Sequence, residues 1–281
     1  MIAKVGLYAY GIVGKSPKQL DILGIDQKNK VYPVEKGDIC VVVSKIDTDK
    51  FQDEIKKLLS KLTKTAGAVP NETDGIPVGT RLGIEEVLRG HEDVVDTLMK
   101  QTTIVPIKFG TVLKDEEAAL KMLQDYEGKF KKLLSKFTGR EEWGIKVYAD
   151  SKKFKDYIGK NEPEFLKQQG SLSKVASKGA AYLLGRKMEE ELKNDVASRL
   201  AKTSEVIFQE AGKDAYEAKL NKTLPQKLTG KNKEMILNTA FLIEKEKVAR
   251  FCKQVKKLIE KYEPMGIEIE LSGPWPPYSF T

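Results

Sequence analysis

Catalysis in this chain would have to be built around one imidazole. His91 is the only histidine among 281 residues, and Cys40 and Cys252 are the only thiols. A Ser-His-Asp or Cys-His arrangement therefore has a single base to draw on, and a zinc site of the His/Cys type runs short of ligands. The spacing around the base argues against that use too. Ile84, Val87, Leu88, His91, Val95, Leu98 and Met99 recur at helical intervals, which puts His91 on an apolar stripe. An imidazole there reads as a hydrogen-bonded interior group. Cys40, in DICVVVS, and Cys252, in ARFCKQV, sit among apolar neighbours and read as small, reduced hydrophobes.

Three other stretches invite a chemical reading. GIVGKS, at 11–16, ends like a phosphate-binding loop, but the glycine required five residues before the Gly-Lys-Ser triplet is Ala9. KFGTV, at 108–112, loosely matches an RNA-recognition strand. That motif wants aromatics at alternate positions, and only Phe109 is available. The acidic runs Glu85–Glu86, Glu116–Glu117 and Glu189–Glu190–Glu191 read as solvated helix faces. No enzyme, no cofactor and no metal are expected.

The formal charge of +8 raises the question of nucleic acid. Only six of the 49 basic residues are arginines, the side chain whose planar fork reads phosphates and guanine edges. A lysine-coated surface with weak general attraction to acidic partners is the better reading, and no nucleic acid is expected. No stretch approaches the roughly 18 uninterrupted apolar residues of a membrane helix. The opening MIAKVGLYAYGIVG reads as a strand rather than a secretion signal, so the expected location is cytoplasmic, off the membrane.

The elements that must position these residues alternate along the chain. Strands are expected at 2–10, 30–34, 38–46 and 102–109, with helices at 16–23, 50–64 and 84–100 and a mobile loop at 65–80. Pro106 cannot donate to a ladder, so the 102–109 strand should lie at a sheet edge. A helix from Asp115 to Gly139 follows. The remainder reads as strand 143–149, a polar connection 151–170, helix 172–202 and a short strand 204–210. A flexible excursion 211–232, strand 234–245, helix 244–262 and strand 266–271 complete it. Both halves spell β-α-β-β-α-β. The expected class is α+β in two domains: 1–139, an antiparallel sheet with extra helices, and 140–281, ferredoxin-like with polar insertions.

The end of the chain, GPWPPYSFT (273–281), departs from the small, polar composition usual for a tail. Pro274, Pro276 and Pro277 restrict the unfolded backbone, and Trp275, Tyr278 and Phe280 offer large rings for burial. The segment reads as a stiffened clip whose three rings all need pockets.

GHEDVVDTLM (90–99), TTIVPIKFGTV (102–112), FLIEKEKVARF (241–251) and above all GIEIELSGPWPPYSF (266–280) resemble the gas vesicle protein F/L family. The resemblance implies two α+β domains, the second a modified ferredoxin fold. It also implies an accessory role in assembling gas vesicles, with the shell protein and other accessory proteins as partners. An apolar shell subunit would aggregate before assembly, through exposed surface and unpaired strand edges. The expected docking surface is the face of His91, Glu92, Ile104, Pro106, Ile107, Lys108 and Phe109, or else the groove between the domains, holding a subunit by strand addition or in an apolar groove. The alternative is a ferredoxin-like RNA-binding or regulatory module without catalysis.

Overall fold

A computed structural model describes residues 4–14, 20–53, 55–57, 78–161 and 178–281, with backbone alone for 78–87 and for most of 178–194. The chain forms two compact units, one of residues 1–140 with 276–281 and one of residues 141–275.

The first unit is a sheet with helices on both faces. Its strands are β1 (Val5–Val13), β2 (Val31–Lys36), β3 (Ile39–Asp47), β4 (Ile104–Pro106) and β5 (Val112–Leu113), in the order β2-β3-β1-β4, with β5 also on β1. All the ladders in it are antiparallel. β1 and β3 are apolar almost throughout because both of their faces are covered. A register shift between Ala9 and Gly11 changes the parity of β1. Tyr8, Tyr10 and Val13 consequently belong to one core cluster, together with Val94, Val95 and Leu98 of helix α1 (Val78–Gln101). Gly11 sits where a side chain has no room, since a Cβ there would lie 2.4 Å from the Ile104 side chain.

Helices α2 (Glu116–Asp125) and α3 (Glu127–Phe137) pack against the strands from the other side and bury Ala119, Leu123, Leu134 and Phe137. The single helix expected between Asp115 and Gly139 is thus two. Asp115 caps the first, accepting from the Ala118 N–H at 2.9 Å. Tyr126 then leaves helical geometry (φ −115, ψ 13), which re-aims the second half so that both halves bury apolar residues.

Other expectations for this unit are corrected. The strand at 102–109 is a regular strand only over 104–106, at the sheet edge where Pro106 is tolerated, and the Ile107 N–H adds one more bond to the Tyr10 carbonyl at 2.9 Å. The chain then turns, Thr111 donating to the Lys108 carbonyl, before re-pairing as β5. Residues 20–23, expected helical, are irregular, with an isolated bridge from Leu23 to Lys30. Residues 78–80, expected in a loop, begin α1. Lys15, Ser16 and residues 58–77 lie outside the described residues.

The second unit has strands β6 (Arg140–Ala149, Arg140 itself counting with the first unit), β7 (Glu217–Leu220), β8 (Glu234–Glu244) and β9 (Ile267–Trp275), in the order β7-β8-β6-β9. Helices α4 (Ser151–Asn161), α5 (Lys178–Gly212) and α7 (Val248–Tyr262) supply one core with the sheet, while α6 (Gln226–Thr229) is a single turn. The clean stripe of α7 buries Phe251, Val255, Leu258 and Tyr262.

Three expectations fail here. Residues 151–161 are helical: Asp150 accepts from the N–H groups of Lys152 and Lys153, and Phe154 and Ile158 are buried one turn apart. Lysine density hides that pair in the sequence. Residues 204–210 are helix rather than strand, because Val196, Leu200, Ile207 and Ala211 keep the stripe of α5 running. The second strand of this unit is β7, inside the supposed flexible excursion 211–232. Residues 162–177 lie outside the described residues.

Candidate functional site

His91 is the hub of a six-ring cluster in the first unit. α1 delivers the imidazole, β1 brings Tyr8 and Tyr10, the turn after β4 brings Phe109, and the helical stretch at 48–53 brings Phe51. Tyr278, from residues 276–281, is the sixth. His91 lies 5.6 Å from Tyr8, 5.7 Å from Tyr10 in a stacked arrangement, and 5.7 Å edge-on from Phe109, measured between ring centres. Such offset and edge contacts suit the ring quadrupoles.

The polar atoms of the cluster are paired in a chain. The Gly110 N–H donates to the Tyr8 hydroxyl at 2.9 Å, that hydroxyl is 3.0 Å from His91 Nδ1, and Nε2 is 2.8 Å from the Tyr278 hydroxyl. The accounting fixes the tautomer. Tyr8 is fully buried and already accepts from Gly110, so its own proton has His91 Nδ1 as acceptor. Nε2 then carries the imidazole proton and donates it to Tyr278. The Tyr278 hydroxyl keeps its proton for an acceptor beyond the cluster, with Glu92 and Asp96 as the nearby carboxylates.

Burial holds the His91 imidazole down at about 4, so it is neutral near pH 7. Burial likewise pushes the Tyr8 and Tyr278 phenols far above their ordinary value. Tyr10 is pushed up to about 12, although bonds from Ser44 and the Ile25 N–H oppose the shift. Every group is held in its uncharged form. That is the electrostatics of a fastener rather than of an acid–base pair poised near neutrality.

Gly24 guards the second arm of the network, where Tyr10 meets Ser44 at 2.8 Å and the Ile25 N–H at 2.7 Å. A Cβ on Gly24 would lie 2.3 Å from Ser44 Oγ and 2.7 Å from the Tyr10 hydroxyl. Gly24→Ala is therefore expected to cost about 1–3 kcal/mol by overpacking. Chemical denaturation checks this, with Gly128→Ala as a control for glycine loss in a position with open space and no left-handed φ.

The expected docking residues do not form one surface. His91 and Ile104 are each 2% exposed and Pro106 is buried, so these three support the site from within. Glu92, Lys108 and Phe109 reach solvent, Phe109 at 37%, and Ile107 is half-buried. Phe109 and Gly110 form a turn, not a sheet face, which removes the platform an RNA-recognition strand would need. In the tail, Pro276, Pro277 and Phe280 are buried, with the Lys136 ammonium 5.4 Å from the Phe280 ring centre. Pro274 and Trp275 depart from expectation. Both remain on β9, exposed, and the Trp275 indole donates to Ser272 Oγ at 3.0 Å.

Sequence reasoning did not foresee Tyr8 and Tyr10 as partners of His91, nor Ser44 and Phe51 as partners of those tyrosines. The Tyr-x-Tyr pair in β1 was the available signal, since alternate strand positions share a face. Among the described residues no group of His, Cys, Asp and Glu is placed to hold a metal ion, and no helix is long and apolar enough to cross a membrane.

Comparison with known proteins agrees over the whole chain. The family model described as "Gas vesicle synthesis protein GvpL/GvpF" matches residues 6–281. Gas vesicle protein L of Streptomyces sp. (strain CB03234) is 27% identical over 78% of this chain and 80% of its own. Gas vesicle protein L1 of Halobacterium salinarum is 24% identical over 98% and 90%. The crystal structure of GvpF from Anabaena sp. PCC7120 superimposes with a TM-score of 0.67 at 22% identity, covering 98% of this chain and 97% of that one. GvpF from Microcystis aeruginosa gives 0.62 at 21%, covering 98% of each. At those identities the structures establish a shared fold.

Proposed function

Because this chain belongs to the gas vesicle synthesis protein GvpL/GvpF family, we propose that it serves gas vesicle assembly by binding the apolar shell protein and other accessory proteins. It does so in the cytoplasm and at the vesicle, as a minor structural component and without catalysis. The observation carrying this reading is the family match from the first strand to Thr281.

The two compact units are two domains on this reading, dividing near Arg140. In each, the first four long-range strands take the order 2-3-1-4, the arrangement of a split βαβ, and we read the second unit as a modified ferredoxin-like domain. Phe109 with Ile107, flanked by Glu92 and Lys108, forms the docking face. An exposed aromatic over a rigid ring cluster can bury apolar area on a partner with little loss of its own freedom. Residues 276–281 act as a clip that steadies that cluster through His91.

Co-expression with the shell protein tests the proposal. Wild type is expected to keep the shell protein soluble and to co-purify with it. Phe109→Asp is expected to weaken capture by about tenfold or more, the loss of one central aromatic anchor. Lys108→Glu, which touches no ring, provides a variant that spares the fold, and thermal midpoints are read for both. Full capture by both variants would remove the docking face, and no capture by wild type would remove the function.

A further inference from the structure

The turn that carries Phe109 is anchored by backbone at both ends. The Ile107 N–H donates to the Tyr10 carbonyl at 2.9 Å, and the Ala9 N–H to the Thr111 carbonyl at 3.0 Å. Between these anchors Lys108, Phe109 and Gly110 are exposed, and Gly110 holds a left-handed φ of 84. Among the described residues, one hydrogen bond ties this exposed stretch to the strand beneath it, from the Gly110 N–H to the Tyr8 hydroxyl at 2.9 Å.

The protons of the chain that begins there all point one way. Gly110 donates to Tyr8, Tyr8 to His91 Nδ1, and His91 Nε2 to Tyr278. In such a series each proton is placed by the acceptor that follows it. The imidazole is the member with two states, because a neutral ring carries its proton on either nitrogen. As acceptor, the Tyr278 hydroxyl holds that proton on Nε2 and leaves Nδ1 bare for Tyr8. Without this acceptor the Nε2–H is stranded, and a proton moved to Nδ1 faces that of Tyr8 across 3.0 Å. Tyr8 is fully buried, and among the described residues its hydroxyl has no partner besides His91 and Gly110. Its proton then finds an acceptor only when the exposed turn lifts and lets water in.

We propose that Tyr8 is a positioning residue for the Phe109 turn, controlled by Tyr278: the turn keeps its docking form only while the tail accepts the imidazole proton. The control of docking rests on the reading of Phe109 as the docking face, whereas the coupling of tail to turn does not. By linkage, a partner seated on Phe109 also steadies the tail.

His91 is the only histidine, so the nitrogen-15 signals of its ring are read in the full chain without assignment. Wild type is expected to carry the proton on Nε2, and Tyr278→Phe to move it towards Nδ1. The buried Phe280, Pro276 and Pro277 keep the tail seated in that variant. Exchange of the Gly110 amide should be about tenfold faster in Tyr278→Phe, the effect of losing one hydrogen bond. Tyr8→Phe should quicken it as much, with the ring proton still on Nε2. The double variant should go no faster, since both substitutions act through one bond, whereas separate structural losses would add. The proposal is overturned if the tautomer or the Gly110 exchange is unchanged in Tyr278→Phe, or if the two substitutions add. Capture of co-expressed shell protein should fall several-fold in Tyr278→Phe. Full capture beside faster exchange overturns the control of docking. No capture by wild type is instead the failure of the docking reading, and exchange then decides the coupling by itself.

Discussion

Phe280→Ala is expected to destabilise the first unit by about 3–5 kcal/mol, the usual loss for a large aromatic removed from a packed site. Phe280 is 5% exposed, and its neighbours Pro276 and Pro277 are buried. The ring therefore fixes the whole six-residue return of the chain to this unit. Tyr278→Phe should cost less, about 1–3 kcal/mol, because it leaves the buried Nε2–H of His91 without its acceptor. Urea denaturation followed by tryptophan-independent circular dichroism measures both. Limited proteolysis near Tyr278 should speed up in the same order. If Phe280→Ala unfolds at the wild-type urea concentration, the tail is an ornament and the clip is wrong.

Acid should loosen the same region. The unfolded chain protonates His91 near 6.5, whereas the folded chain resists until about 4. Between those values the unfolded state binds more protons, so stability falls as pH drops from 6.5 towards 4. The loss approaches about 3 kcal/mol at pH 4, given the fall from 6.5 to about 4. Tyr8, Tyr10 and Tyr278 face the imidazole and stay neutral throughout this range. Asp96, whose carboxyl burial raises, works in the opposite sense, so the comparison must keep it. His91→Gln does so, and removes the titration while retaining a donor and an acceptor. Wild type should lose about 3 kcal/mol more than His91→Gln between pH 7 and pH 4. Parallel stability curves for the two proteins would refute the assignment of His91 as a buried neutral fastener.

The helical spacing that placed His91 inside was legible because α1 repeats its apolar positions over several turns. The partners of the imidazole were not, since Tyr8 is 83 residues away and Tyr278 is 187 away, and no local pattern encodes such pairings. The apolar triplet Val206–Ile207–Phe208 misled for a physical reason: β-branched and aromatic residues favour strands, yet Ile207 completes a stripe begun at Val196. The reverse happened at EAKL, where β7 carries no strand-forming composition and owes its conformation to pairing with β8. Edge elements of this kind are decided by neighbours, and composition is silent about them. Pro106 was readable because a missing N–H has the same consequence in any fold.

Unit one is written in two instalments, with residues 141–275 between them. A ribosome adding roughly 5–20 residues per second spends on the order of ten seconds on that interval. Throughout it His91 has been made and Tyr278 has not. The first unit is thus finished only after the second has been translated, and the order of synthesis, rather than any later signal, sets when the imidazole acquires its last partner.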